Sequence, residues 1–144
     1  MSYYLTKSNP NVYKLQDALN YYRNVADVSW TICKDAELGD ILFIGQSGEE
    51  AGIYAKAIVA DYACFEAPDD PRFWVNPEGA RKAAWMAPLE SLNLIEPPIL
   101  EENLRATPKL GWVVEWLHRQ GKACHLTDEK GEAIDRLIEA SSAA

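Results

Sequence analysis

The sequence predicts an α+β fold, a small β-barrel flanked by helices, and three features carry that prediction. Two apolar segments, 41–46 and 52–61, are separated by a Ser47-Gly48 turn and follow an aromatic segment that starts at Ser29, which is the pattern of a β-meander. In the second segment Ile53, Ala55, Ala57 and Val59 alternate with Tyr54, Lys56, Ile58 and Ala60. Both of its faces are mostly apolar, as in a strand buried on two sides or closed into a barrel. Apolar residues at helical spacing recur on either side of the meander, at Val12, Leu15, Leu19 and Tyr22 and again at Ile134, Leu137 and Ile138, so helices flank it.

Taken in order, Tyr3-Tyr4-Leu5-Thr6 reads as the first strand, stopped by Lys7-Ser8-Asn9-Pro10. Asn9 is placed to cap a helix over 10–23 with Pro10 as its first residue. Ser8 and Asn9 also stand at the C-terminal end of a strand, where side chains can face a pocket. After a loop at 24–28, residues 29–33 are extended and 35–39 form a turn. Residues 66–81 are polar and broken by Asp69, Asp70, Pro71, Pro77 and Gly79, and a loop of that length in a small domain is usually functional or mobile. Phe73 and Trp74 in its middle either tuck onto the core or close over a ligand. A strand over 85–95, broken at Pro88, ends at Glu96-Pro97-Pro98. Pro98 then opens a short helix through Leu104, with Leu100 and Leu104 as its buried pair. A further helix over 111–121 carries Val113, Trp116, Leu117 and Gln120 at helical spacing, and 123–126 is a last strand. Thr127 caps the final helix, Asp128 and Glu129 suit its positive end, and 141–144 should fray. Nothing in the pattern suggests a repeat or a linker, so residues 1–144 are expected to form one domain.

With 144 residues, 48% hydrophobic and 25% charged, the chain has the composition of a soluble globular protein with a core of its own. It contains no apolar run near the roughly 18 residues of a membrane helix. The start MSYYLTKSNP also lacks the apolar core of a signal peptide, so a cytoplasmic protein is expected. Cys33, Cys64 and Cys124 lack paired spacing and read as small buried hydrophobes rather than as a disulfide or zinc set. A net charge of −8 works against broad phosphate-driven binding to nucleic acid. Any such contact must be local: one base in a pocket with a few cations, or a partner that supplies the positive surface.

No catalytic set assembles. His118 and His125 lack the neighbours of a zinc hydrolase or a cysteine nucleophile. Gly45, Gly48 and Gly52 lack the Gly-Lys-Ser/Thr ending of a phosphate loop, and Glu49-Glu50 is a solvated hairpin tip. The five tryptophans say more. Trp112 and Trp116 fit a helix core, whereas Trp30 and Trp74 stand at segment edges and Trp85 is open between the two roles. A base stacked on indole gains about 1–3 kcal/mol per contact and tolerates an added methyl group, so paired tryptophans suit modified bases.

Tyr3-Tyr4-Leu5-Thr6-Lys7-Ser8-Asn9-Pro10, Trp30-Thr31, Gly39-Asp40, Gly52-Ile53-Tyr54-Ala55 and Leu126-Thr127-Asp128-Glu129 together resemble an EVE domain of the PUA-like superfamily. The resemblance implies a barrel of about five or six strands, similar to the YTH domains that read N6-methyladenine in RNA. It implies a binding module without catalytic residue, metal or cofactor. Its ligand would be a modified nucleobase, a methylated cytosine or adenine, in single-stranded or flipped-out DNA or RNA. Ser8 and Asn9 would meet the base edge and Lys7 a phosphate, with Lys34 as a second phosphate contact. Trp30 would stack on the base beside Thr31, and Trp74, or failing it Trp85, would complete the aromatic cage. An effector protein is the expected further partner, and the module would act as a monomer or weak dimer. Two other readings stay open. One is an enzyme or accessory acting on a nucleotide-like small molecule through Lys34 or Asp40. The other is a protein-interaction domain with the Trp74 loop packed on another subunit.

Overall fold

The computed structural model describes residues 1–23, 28–67, 70–78 and 82–142. Residues 24–27 of the expected loop at 24–28, the loop residues Asp69, Gly79 and Arg81, and residues 143–144 of the expected tail lie outside the described residues. The elements in chain order are β1 (Tyr3–Ser8), α1 (Leu15–Tyr22), β2 (Ser29–Thr31), β3 (Ile41–Gln46), β4 (Gly52–Val59), β5 (Cys64–Glu66), β6 (Ala84–Leu100), α2 (Glu101–Arg105), α3 (Gly111–Leu117), β7 (Ala123–Leu126) and α4 (Asp128–Ser142).

The strands form one curled sheet in the order β2-β6-β4-β3-β1-β7, with β5 joined to β6 off that path. β1 runs parallel to β3, and the remaining pairs are antiparallel. The sheet has seven strands among the described residues, against the expected five or six, because short β2 and β5 both pair with the first part of β6. β6 is not broken at Pro88. The Pro88 carbonyl accepts the Ala60 N–H at 2.8 Å, and the next N–H, from Leu89, donates to Val28 at 2.8 Å.

Period-2 alternation sends successive residues of the central strands to two separate cores. Tyr3, Leu5, Phe43 and Ile53 face α2, α3 and α4 with Leu104, Leu117 and Ile134. Tyr4, Leu42, Ile44 and Ala55 face the other way with Leu15, Leu19 and Trp30. This is why 41–46 and 52–59 are apolar on both faces. α4 approaches β1 so closely that a Cβ at Gly131 would lie 2.1 Å from the Tyr3 ring. Thr127 caps that helix as expected, its hydroxyl accepting the Lys130 N–H at 3.3 Å.

Several local expectations are corrected. The first helix starts at Leu15, not at residue 10, and its N-cap, Lys14, makes no side-chain cap bond. Asn9 instead closes an Asx turn, its Oδ1 accepting the Asn11 N–H at 2.9 Å. Val12 is exposed, because its segment pairs with the long loop: Lys14 N–H donates to Phe73 at 2.7 Å and Val75 N–H to Val12 at 2.9 Å. Pro98 lies inside β6 rather than at a helix start, so Leu100 ends a strand and is exposed while Leu104 is fully buried. Trp112 is also exposed and stacks on the buried Trp116. Cys64 is exposed on β5, and Cys33 and Cys124 are half-buried. α4 continues through Ser142 where a frayed tail was expected. Among the described residues, no helix is long and apolar enough to cross a membrane.

Candidate functional site

The ends of β1 and β2, the turn before α1, the start of β6 and the α3–β7 loop surround a cavity of about 710 Å³. Parallel pairing of β1 with β3 places Ser8 beside Gln46 at the head of the sheet, and Ser47 N–H donates to the Ser8 carbonyl at 3.0 Å. Six of the residues marked in the sequence line this cavity: Lys7, Ser8, Asn9, Trp30, Thr31 and Trp74.

Trp85 and Lys34 do not. Ala84 and Met86 face the cavity, so strand alternation turns Trp85 to the opposite face, where its ring lies 5.5 Å from Phe65. Lys34 is exposed in the turn after β2. Asp40 is also away from the cavity, its carboxylate accepting the Ser2 and Glu37 N–H groups at 2.9 Å each. Lys7, expected to contact a phosphate, lines the cavity and is also engaged inside the protein. Two of its three N–H donors go to the carbonyls of Trp116 and Arg119, and the ammonium sits 4.2 Å from the Trp116 ring centroid. It anchors the α3–β7 loop, and burial pushes its pKa down.

The aromatic wall is larger than the sequence suggested. Trp30 is only 6% exposed, with the Tyr13 and Tyr22 rings nearly perpendicular to it at 6.0 and 6.2 Å. Tyr13 also meets Trp74 edge-on at 5.1 Å. The two indoles are therefore joined through Tyr13 rather than forming an isolated pair.

Asp70 fixes the loop that brings Trp74 in. It accepts the Tyr22 hydroxyl at 2.6 Å and three contacts from the Arg72 guanidinium at 2.7–3.0 Å, while Arg72 lies 4.3 Å from the Tyr21 ring centroid. The Arg72 hydrogen bonds, with that of Tyr22, hold the Asp70 carboxyl well below the usual carboxylate range. Burial raises the phenol pKa of Tyr22, helped by its bond to Asp70, and burial raises that of Tyr13, helped by the Asp70 charge. Near neutral pH the wall thus carries neutral phenols and one ionised, paired carboxylate.

Sequence reasoning missed Tyr13, Tyr22 as a cavity residue, Arg72, Arg119, Lys122 and Thr6. Thr6 is 2% exposed and its hydroxyl has no hydrogen-bond partner among the described residues. The tyrosines at 13, 21 and 22 and the Asp70-Pro71-Arg72 spacing were the available signals. Among the described lining residues five are Lys or Arg and two are Asp or Glu, a positive excess in a chain of net charge −8.

This arrangement suits a flat, partly polar ring. His118 Nε2 pairs with Glu101 Oε2 at 2.7 Å and His125 stacks on Tyr4 at 4.9 Å; neither lines the cavity. Among the described residues no three His, Cys, Asp or Glu side chains converge as a metal would require.

No family model matches the sequence, nor does any curated protein. Solved structures do match. A hypothetical protein from Leishmania major is 17% identical over 99% of this chain and 97% of its own, with a TM-score of 0.68. Human THYN1 protein, in complex with DNA containing 5-methylcytosine, is 17% identical over 98% of both chains with a TM-score of 0.64. The DUF55 domain of human thymocyte nuclear protein 1 is 17% identical over 96% of this chain and 99% of its own, with a TM-score of 0.63. Likeness at this identity concerns the fold alone: the chain is an α+β barrel flanked by helices, of the same architecture as these structures.

Proposed function

We propose that this protein is a reader of a modified nucleobase in DNA, with 5-methylcytosine as the first candidate. The base would enter the cavity and stack on the wall of Trp30, Tyr13 and Trp74, its edge met by Ser8, Asn9 and Thr31. The observation that carries this reading is an aromatic cavity with an excess of cations on an otherwise acidic chain. It lies within the fold that the human THYN1 structure shows in complex with 5-methylcytosine DNA.

The physics of the cavity sets the preferred substrate. Extruding a base from a duplex costs a few kcal/mol, so single strands should bind more tightly than duplex of the same sequence. Stacking is nearly indifferent to base identity, which leaves discrimination to the edge groups of Ser8, Asn9 and Thr31 and to the space around the methyl group. The Asn9 carbonyl oxygen is engaged by Asn11, so Asn9 offers the base its amide N–H donors.

The test is tryptophan fluorescence titrated with short single strands, DNA and RNA, carrying one 5-methylcytosine, one N6-methyladenine or no modification, with the ligand recovered and analysed afterwards. Preference for the methylcytosine strand, recovered unchanged, is expected. Equal affinity for modified and unmodified strands would refute base reading, and a chemically altered ligand would point to an enzyme. A preference for methyladenine or for RNA would keep the reader and change its target.

A further inference from the structure

We infer that the α3–β7 loop, through Arg119 and Lys122, is the phosphate-binding wall of the cavity, so that the ligand class is a strand with phosphates flanking the held base rather than a free base or nucleoside. This rests on the base-reading proposal above and names the partner of that same site.

The cations lining the cavity differ in what they have left to give. Lys7 is engaged by the carbonyls of Trp116 and Arg119 and by the Trp116 ring. Arg72 is engaged by Asp70 and lies over Tyr21. The described lining cations that remain are Lys82, Arg119 and Lys122, and two of these stand together on one short loop. Lys122 and Lys82 have no ion-pair partner among the described residues. Arg119 has Glu115, one helical turn back, at 3.3 Å with both side chains more than 60% exposed, a contact that water screens and that a phosphate can replace.

The loop is also held in place. Lys7 binds the Arg119 carbonyl, the Lys7 N–H donates to the Lys122 carbonyl at 3.1 Å, and Gly121 turns the chain at φ +127°, a conformation that favours glycine. These ties involve the backbone of residues 119 and 122 and leave both charged side chains exposed at the cavity wall. Lys7 thus serves phosphate binding indirectly, by positioning the loop that carries the two contacts.

A negative chain that meets nucleic acid through one small cluster should show a shallow dependence on salt, set by the few phosphates touched. Each contact to a single strand contributes about 0.7 to the slope of log K against log salt. The experiment compares wild type with the double variant R119Q/K122Q, binding a DNA trinucleotide with a central 5-methylcytosine and its unmethylated counterpart from 0.05 to 1 M salt. K34Q, outside the cavity, serves as the charge control.

The double variant should lose about 1.4 from the slope, which over this range makes it roughly 60-fold weaker at 0.05 M while it approaches wild type at 1 M, and it should keep its preference for the methylated strand. K34Q should match wild type. A slope unchanged in the double variant, or lowered equally by K34Q, would overturn the phosphate wall while leaving base reading intact. A lowered slope with no methyl preference in any protein would support the wall and overturn base reading. No binding by wild type would overturn both.

Discussion

Trp30→Ala should act first on stability and only then on binding. Trp30 is 6% exposed and belongs to the core formed by Leu15, Leu19, Leu42 and Ala55, with two tyrosine rings against it. Truncating a tryptophan buried to that degree costs about 3–5 kcal/mol, out of roughly 5–15 kcal/mol for a whole domain. At about 4 °C per kcal/mol for a chain of this size, the melting temperature should fall by roughly 10–20 °C. Trp74 is half-buried on a loop and meets Tyr13 edge-on, so Trp74→Ala should shift melting much less. It should still weaken binding by the stacking contribution, about 1–3 kcal/mol or roughly 5- to 150-fold. Thermal melts and titrations on both variants separate the two roles. A Trp30→Ala melt within a few degrees of wild type would show that the indole is not the core residue its burial implies. A Trp74→Ala protein that binds like wild type would remove Trp74 from the cage.

Gly131→Ala should destabilise although alanine is the better helix former by about 1 kcal/mol. The added Cβ would sit 2.1 Å from a Tyr3 ring that is 5% exposed and stacked on Phe43, and overpacking of that kind costs about 1–3 kcal/mol; a higher melting temperature would contradict the close packing of α4 on β1. The pH dependence should fall away at both ends. Asp70 has a depressed pKa in the folded state, so its contribution is present above the unfolded value near 4 and is lost as pH falls below it. Tyr13 and Tyr22 have raised values, so theirs is present below about 10 and is lost as pH rises beyond it. Melting followed against pH should show Asp70→Asn flattening the acid side and Tyr22→Phe the alkaline side; unchanged profiles would break the Tyr22–Asp70–Arg72 account of the loop.

What the sequence made legible was whatever depends on local period. The two-faced apolar run at 52–59 announced a strand between two cores, and Thr127 with Asp128 and Glu129 marked the last helix. Other features depend on contacts between distant residues. Val12 fits a helical pattern, yet its backbone is taken by Val75. Trp85 stood as the fallback for Trp74 until the facing of Ala84 and Met86 fixed the phase of β6. Lys7 read as a free cation beside a pocket because its acceptors, at Trp116 and Arg119, lie more than a hundred residues away. The same distance hid Arg119 and Lys122, which only the pairing of β7 with β1 brings to the cavity.

The central claim, that one modified base sits against Trp30 and Trp74, is tested most directly by the indole N–H resonances of the five tryptophans during titration with a short single strand holding one 5-methylcytosine. Trp30 and Trp74 line the cavity, while Trp85 packs on Phe65 and Trp112 on Trp116 away from it. The resonances of Trp30 and Trp74 should move, and those of Trp85 and Trp112 should stay. Movement of Trp85 or Trp112 with Trp30 and Trp74 unmoved would place the ligand elsewhere and contradict the account.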